Sequence, residues 1–429
     1  MILIVFVGLL IALLLVGISI PFAIGGTSLI VILMERGFDV VQFGGIANRM
    51  VAGVNQFTLL AIPFFLFAGK LMNRGSIAKR IFTFANYIVG WIPGGLAHAN
   101  IFASLIHAGQ SGSAVSDVVA LGPIQIKAMR RAGFRTDFAA ACSATSAIIS
   151  PVTPPSIPLV VFGVVGSVSI NRLFMGGVVP GLLITFVLML TVIILSSRRN
   201  YPRTFFPGWK TFIKAGLDAF FPSFTVVILV GGIIAGVFTA TEAAAVASLY
   251  AFILTFFVYR EVSLRDVFEV VKEALRETAA IMMIVAAASI YGFLITRTQL
   301  PQTIMAGMLT ITENPVMILV LLNIFLLTFG LFMEPNSAII ILTPVLMPIV
   351  GHFGIDPVHF GVVMVFNLMI GLLTPPVGML LFVTGRIAKL PYEKLLKSIV
   401  PFYIPLVILL FFVTFVPQTV LWLPNLIFG

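Results

Sequence analysis

Two sets of residues in this chain have the types and spacing to hold a hard cation. One joins Ser111, Gly112 and Ser113 with Ser150 and Thr153; the other joins Gly330 and Glu334 with Gly371 and Thr374. Hydroxyls, a carboxylate and glycines that leave backbone carbonyls approachable make oxygen-rich cages, which suit a monovalent ion such as sodium. Carbonyls at helix C-termini coordinate such an ion, while free amides and positive dipole ends at helix N-termini attract anions. Ser111, Ser113, Ser156, Asn336, Ser337 and Gly378 are accordingly the candidates for contact with an anionic small molecule. No lysine or arginine lies in either set. An anion would depend on amide dipoles, hydroxyls and neighbouring cations.

Such sites need interrupted helices to position them. Ser150-Pro151-Val152-Thr153-Pro154-Pro155-Ser156 places three prolines and a polar break inside a long apolar run. Proline lacks the backbone donor and clashes with the preceding turn, so one half-helix ends there and another begins. In lipid, irregular backbone survives only where protein buries it or a cavity borders it. The device returns 221 positions later in Gly371-Leu372-Leu373-Thr374-Pro375-Pro376-Val377-Gly378. At that same offset Leu121, Pro123 and Gly133 fall on Leu342, Pro344 and Gly354. A duplicated interrupted helix points to a secondary transporter with its site at the midplane.

The segment before the first break is too rich in small and polar residues for a lipid-facing span, and the second half repeats its order. Gly94 to Met129 reads as a re-entrant hairpin with its tip at Gly109-Gln110-Ser111-Gly112-Ser113. Pro315 to Val350 reads as a second, with its tip from Gly330 to Ser337. The fold class expected is an all-α polytopic membrane protein, an inverted-repeat transporter with two re-entrant helical hairpins and two proline-broken helices.

Composition agrees with that class. The chain has 429 residues, 60% hydrophobic and 9% charged, with 40 phenylalanines, which soluble domains do not show. At about 20 residues per span there is room for roughly ten to twelve crossings and no separate soluble domain. Residues 2 to 20 read as a first span, since no basic segment precedes them and no small-residue cleavage site follows. Further spans are expected through Met34, ahead of the polar stretch Glu35 to Asn48, and over about Met50–Leu71, Leu173–Leu195, Phe221–Phe238 and Thr241–Tyr259, with a last crossing ending near Phe415. An amphipathic arm follows Leu71, and a helix with charged first turns covers Arg265 to Glu277. The basic linker 196–217 divides a first repeat, 1–195, from a second, 218–429. Placing that linker in the cytoplasm puts 21 of the 25 Lys and Arg inside, leaving Arg36, Arg49, Arg172 and Arg297 outside, as the positive-inside rule requires. Both termini then lie in the periplasm. The net charge of +10 is explained by these loops and not by nucleic acid.

Other residues have plainer readings beside functional ones. Asp117 is read as a helix cap, with a coupling carboxylate as the alternative. Glu334 is either a cap for the amides after Pro335 or a pathway charge, since a charge at membrane depth costs at least about 2.5 kcal/mol. Glu242 is expected to be structural and Cys142 an inert packing residue, and the four histidines form no ligand set. Asp117 and Glu334 are the only pair that an embedded enzyme could use, with no histidine beside them, so no enzyme is expected.

The stretches Ile62-Pro63-Phe64-Phe65-Leu66-Phe67-Ala68-Gly69, Ser111-Gly112-Ser113 with Asp117, Ser150 to Ser156, Thr239-Ala240-Thr241-Glu242-Ala243-Ala244, and Leu373 to Gly378 occur in the order that marks one family. Over essentially its whole length the chain resembles the large membrane subunit of tripartite ATP-independent periplasmic (TRAP) transporters. The resemblance implies a sodium-coupled importer of organic acids in the bacterial inner membrane, working as an elevator with hairpins and broken helices in its mobile part. It implies a soluble periplasmic protein that delivers substrate and a small four-helix membrane subunit, expected as a separate chain because this one is too short to include it. The wording around both tips is nearest the sialic-acid branch, with C4-dicarboxylates next. A self-sufficient ion-coupled carboxylate carrier without a delivery protein is the alternative.

Overall fold

A computed structural model describes residues 2–36 and 40–429, and among them the regular structure is helical throughout. Eight of the described helices are long and apolar enough to cross a membrane. Their outer faces show why the chain needs lipid. Along the helix Ile170–Arg199, Leu182, Phe186, Leu190 and Ile194 are exposed while Ile184, Leu188 and Val192 are buried. Along Tyr392–Phe415, Val400, Ile404, Ile408 and Phe412 form the same exposed stripe. Four-residue spacing puts each set on one helical face, and that face is apolar on the outside of the protein. A soluble protein does not expose such stripes.

The first hairpin consists of Gly95–Ser111 and Ala114–Arg131, the second of Pro315–Gly330 and Pro335–His352. The reversals are tighter than the tips read from sequence, because helix persists to Ser111 and to Gly330. The first broken helix runs as Thr136–Ser146, Ile149–Val152 and Ile157–Val165, the second as Pro357–Gly371 and Met379–Ala388. The Pro154–Pro155 and Pro375–Pro376 bonds are both cis. The first broken helix is almost wholly enclosed by protein, the condition its irregular backbone demands.

Buried polar networks join each hairpin to its own broken helix. Asn100 donates to Ser143 Oγ at 2.6 Å, Ser146 donates to Asn100 Oδ1 at 2.8 Å, and Ser104 donates to Ser146 at 3.1 Å. In the second half Asn367 donates to Asn323 Oδ1 at 2.8 Å, and Asn323 donates to Thr414 at 3.2 Å. Paired amides and hydroxyls at these depths hold one arrangement, because an unmatched partner there is costly. Hairpin and break in each half are therefore tied together by buried side-chain hydrogen bonds.

Several boundaries differ from the sequence reading. The first helix ends at Leu15, and the next begins at Ile20. The expected span over 50–71 is two helices, Val40–Val54 and Ala61–Arg74, joined through extended Gln56 and a single 3-10 turn. Pro63 sits in the first turn of the second helix, where a missing donor is tolerated. Of the polar stretch Glu35 to Asn48, residues 37–39 lie outside the described residues, as do the side chains of 35, 36 and 40–43. The linker shrinks to 200–208, because Pro202, Pro207 and Gly208 confine the break, and the helix Trp209–Val226 starts before Phe221. The charged helix is far longer than expected. It runs 34 residues, Leu264–Arg297, opened by a capping box of Ser263 and Asp266, so one element is both charged arm and span. Two short helices, Leu300–Leu309 and Gln418–Phe428, were not read from the sequence.

The arm Ile77–Val89 is held at its start by Glu261. That carboxylate accepts from Ser76 N at 2.6 Å, Ser76 Oγ at 2.5 Å and Arg80 at 2.8 Å. Burial pushes its pKa up, but the hydrogen bonds from Ser76 and Arg80 outweigh it and leave it below the usual value.

Candidate functional site

The first hairpin turns because Gly112 takes the left-handed conformation, φ +59, after which extended Ser113 caps the returning helix by accepting from Ser116 N. Only glycine fits there, since a Cβ would stand 2.7 Å from the Pro155 carbonyl oxygen. The tip rests on the break itself, with Ile157 N donating to Gly112 O at 3.4 Å. This reversal brings the Ser111 hydroxyl to Asp117 Oδ1, to which it donates, and to Ser150 Oγ at 3.0 Å. Asp117 Oδ2 and Thr153 Oγ1 are buried without a hydrogen-bond partner. Three oxygen-bearing side chains, Ser111, Ser150 and Asp117, thus converge from a tip and a break with acceptor capacity unused, while the Thr153 hydroxyl lies against Gly181 of the following helix. This is the donor chemistry of a hard cation.

Asp117 does not cap its helix. Ser113 does that, and Asp117 is buried against the tip with His107 Nε2 3.6 Å away. The sequence reading missed His107 because it lies on the opposite leg, ten positions earlier, and only the turn at Gly112 brings the two together.

The second half has different chemistry at the matching place. Gly330 and Gly371 end their helices in contact: a Cβ on Gly371 would fall 2.7 Å from three backbone atoms of Gly330. Two helix C-termini, the negative ends of their dipoles, therefore meet, and the Gly371 carbonyl accepts from Thr374 N at 3.0 Å. Thr374 follows and donates back to Ile370 O at 2.8 Å. Glu334 is a cap: its carboxylate accepts from Ser337 N at 3.0 Å, Ser337 Oγ at 3.2 Å and Asn336 Nδ2 at 2.8 Å. Ser113 and Glu334 are 221 positions apart and cap the second legs of their hairpins alike. Glu242 closes a capping box with Thr239.

Both tips border one cavity of about 770 Å³, lined by Ser111 to Ser116 on one side and Glu334 to Ser337 on another. Asn336 Oδ1 is buried near this wall without a partner. Ser156 and Gly378 are absent from the lining and serve locally. Ser156 donates to Pro151 O and accepts from Leu159 N, capping Ile157–Val165. Gly378, at φ +54, precedes Met379–Ala388 as its cap.

The remaining wall comes from the ends of Ala61–Arg74 and Leu264–Arg297, which bring Lys70, Arg74, Glu273 and Glu277 to the cavity. The tips and breaks themselves carry no lysine or arginine, and the fold brings these charges to the cavity from two other helices. Lys70 pairs with Glu277 at 2.7 Å, and Arg74 pairs with Asp266, Glu269 and Glu273 at 3.3, 2.9 and 2.9 Å. Asn73 donates across the cavity edge to Ser116 at 3.0 Å.

Comparison with known proteins fits this architecture. Residues 7–419 match the model of the tripartite ATP-independent periplasmic transporter, DctM component. The sialic acid TRAP transporter large permease protein SiaM of Vibrio cholerae is 44% identical over 383 residues, 89% of this chain and 90% of its own length. The C4-dicarboxylate TRAP transporter large permease protein DctM of the same organism is 37% identical, over 98% of this chain and 97% of that one. Among solved structures the Alcanivorax borkumensis YdaH transporter shares the fold, with a TM-score of 0.67 at 14% identity over 90% of this chain and 91% of that one. The chain is a multi-pass membrane protein and belongs to the DctM family of TRAP transporter large permeases.

Proposed function

We propose that this permease imports an organic acid coupled to sodium, with sialic acid the favoured substrate and C4-dicarboxylates next. The observation that carries the reading is the convergence of Ser111, Ser150 and Asp117 on one buried spot beside the shared cavity. One sodium binds there and a second at the Gly330 and Gly371 carbonyls with Thr374, while Glu334 serves as cap. Moving net positive charge inward gains about 2.3 kcal/mol per elementary charge per 100 mV, so sodium in excess of substrate charge drives accumulation. Substrate occupies the cavity between Ser113, Asn336 and Ser337. The two halves, 1–195 and 218–429, lie inverted about the cytoplasmic linker with both termini periplasmic, in the bacterial inner membrane. The hairpin and break blocks move as the elevator against the helices Ala61–Arg74 and Leu264–Arg297. A separate four-helix membrane subunit and a periplasmic binding protein complete the system. The greater identity to the sialic-acid permease, 44% against 37% for the C4-dicarboxylate one, supports that substrate.

The test is uptake of labelled sialic acid or succinate into proteoliposomes holding this chain and its small partner. Sodium gradient and binding protein are each supplied or withheld. Uptake that needs both is expected, and Ser111→Ala should weaken the sodium dependence. Uptake without the binding protein establishes the self-sufficient carrier instead, and uptake indifferent to sodium overturns the coupling.

A further inference from the structure

A permease for organic acids must meet the substrate's negative charge somewhere along its cavity. The helix N-termini at the tips are poorly placed to do so. At the second tip the chain's own Glu334 carboxylate already occupies the amides of Pro335–His352, and a second anion beside it would be repelled. At the first tip the Ser113 hydroxyl takes the Ser116 amide. The positive charges that do face the cavity are Lys70 and Arg74, and they differ in how firmly they are held. Three carboxylates surround Arg74, from Asp266, Glu269 and Glu273. Lys70 has one close partner, Glu277 at 2.7 Å, with Glu273 farther off at 3.7 Å. The Glu277 side chain is 53% exposed and the Lys70 side chain 19%, so the acid is the freely hydrated, exchangeable member. An ammonium on a flexible four-carbon stem retargets easily between carboxylates, and a half-exposed ion pair gives up little when it exchanges.

We propose that Lys70 is a carboxylate-binding residue on the fixed wall of the cavity, trading its ion pair with Glu277 for the carboxylate of the organic acid as that acid passes between the hairpin tips and the cavity mouth. This rests on the organic-acid reading above. It adds a substrate contact outside the tips and breaks, and it gives Glu277 the part of a built-in competitor that keeps Lys70 neutralised when no substrate is present.

The competitor makes the inference testable, because a merely structural ion pair is broken equally from either end. The complete complex in proteoliposomes, assayed by counterflow with sialic acid and with succinate, gives the half-saturation for substrate and for sodium. Lys70→Gln should raise the substrate value about 10-fold, as expected for loss of a charge-assisted contact, and Lys70→Arg should restore most of it. Glu277→Gln should lower it, and sodium half-saturation should stay unchanged in all three. Shifts of the same sign in Lys70→Gln and Glu277→Gln, or no shift in either, overturn the assignment. If Lys70→Gln does not insert, Glu277→Gln decides alone: a lower value supports the exchange and an equal or higher one refutes it. Wild-type complex that transports neither probe overturns the organic-acid reading first, and this assignment with it.

Discussion

Gly371 shows how tightly the second half is built at a single atom. Its absent side chain is what lets two helix ends touch at Gly330, since a Cβ there would meet the backbone carbon, Cα and oxygen of Gly330 at 2.7 Å. Backbone cannot swing aside as a long side chain can, so the helices must separate. Gly371→Ala is expected to destabilise by about 1–3 kcal/mol through overpacking, and to lower the thermal midpoint in detergent. Gly351→Ala, where a Cβ meets nothing within 4 Å, is the matched control and should be neutral or slightly stabilising. Equal midpoints for both variants would show that the Gly330–Gly371 contact is loose. At this scale the sequence was informative about residue types and poor about partners. Serines and glycines beside prolines were legible as an oxygen-rich centre, because those types at a break have few other uses. That Asp117 abandons capping for the Ser111 hydroxyl was not legible, since both roles sit in a first helical turn. Lys70 was invisible as a cavity residue, because it lies at the end of an ordinary apolar helix and reaches the tips only through tertiary packing.

Among elements, the arm Ile77–Val89 depends on one acidic group from the loop before Leu264–Arg297. Glu261 holds Ser76 and Arg80 with three hydrogen bonds, and its carboxyl stays below the usual pKa despite burial because of them. A depressed carboxylate contributes stability above its unfolded value, about 4.3, and loses it as pH falls through the lower folded value. Glu261→Gln should therefore lower stability by about 1 kcal/mol at pH 7, with the gap from wild type closing as pH drops below about 4.3. Thermal unfolding of both proteins at pH 7 and at acid pH reads this directly, and a gap that persists in acid would mean that the link is not ionic. Elements differed in how well the sequence announced them. Proline breaks and hairpins were plain, since proline and glycine act locally. The 34-residue helix was not, because its charged opening turns, Arg265 to Glu277, look like a separate surface helix until the ion pairs to Lys70 and Arg74 explain what they face.

Across the whole molecule, strong and weak joints are distributed unevenly, and that pattern favours motion of blocks over local flexing. Hairpins are bound to breaks by buried amide and hydroxyl networks through Asn100 and Asn367. The wall formed by Ala61–Arg74 meets the first tip through small and exchangeable contacts: Gly69, where a Cβ would lie 3.0 Å from Gln110 O, and the side-chain bond from Asn73 to Ser116. Close backbone approach over glycine leaves little to unlock when one surface slides past another. Cysteines at positions 73 and 116 would bracket that sliding surface, and the one native cysteine, Cys142, is fully buried. A short bifunctional thiol reagent joining them is expected to reduce uptake to background, and reductive release should return it. The unbridged double variant should transport as the wild type does, apart from the loss of one hydrogen bond worth about 1 kcal/mol. Full uptake with the bridge verified by mass spectrometry would mean that the first hairpin and the Ala61–Arg74 helix keep their places throughout the cycle. Substrate would then have to cross by local opening of the tips, and the rigid networks at Asn100 and Asn367 argue against that route.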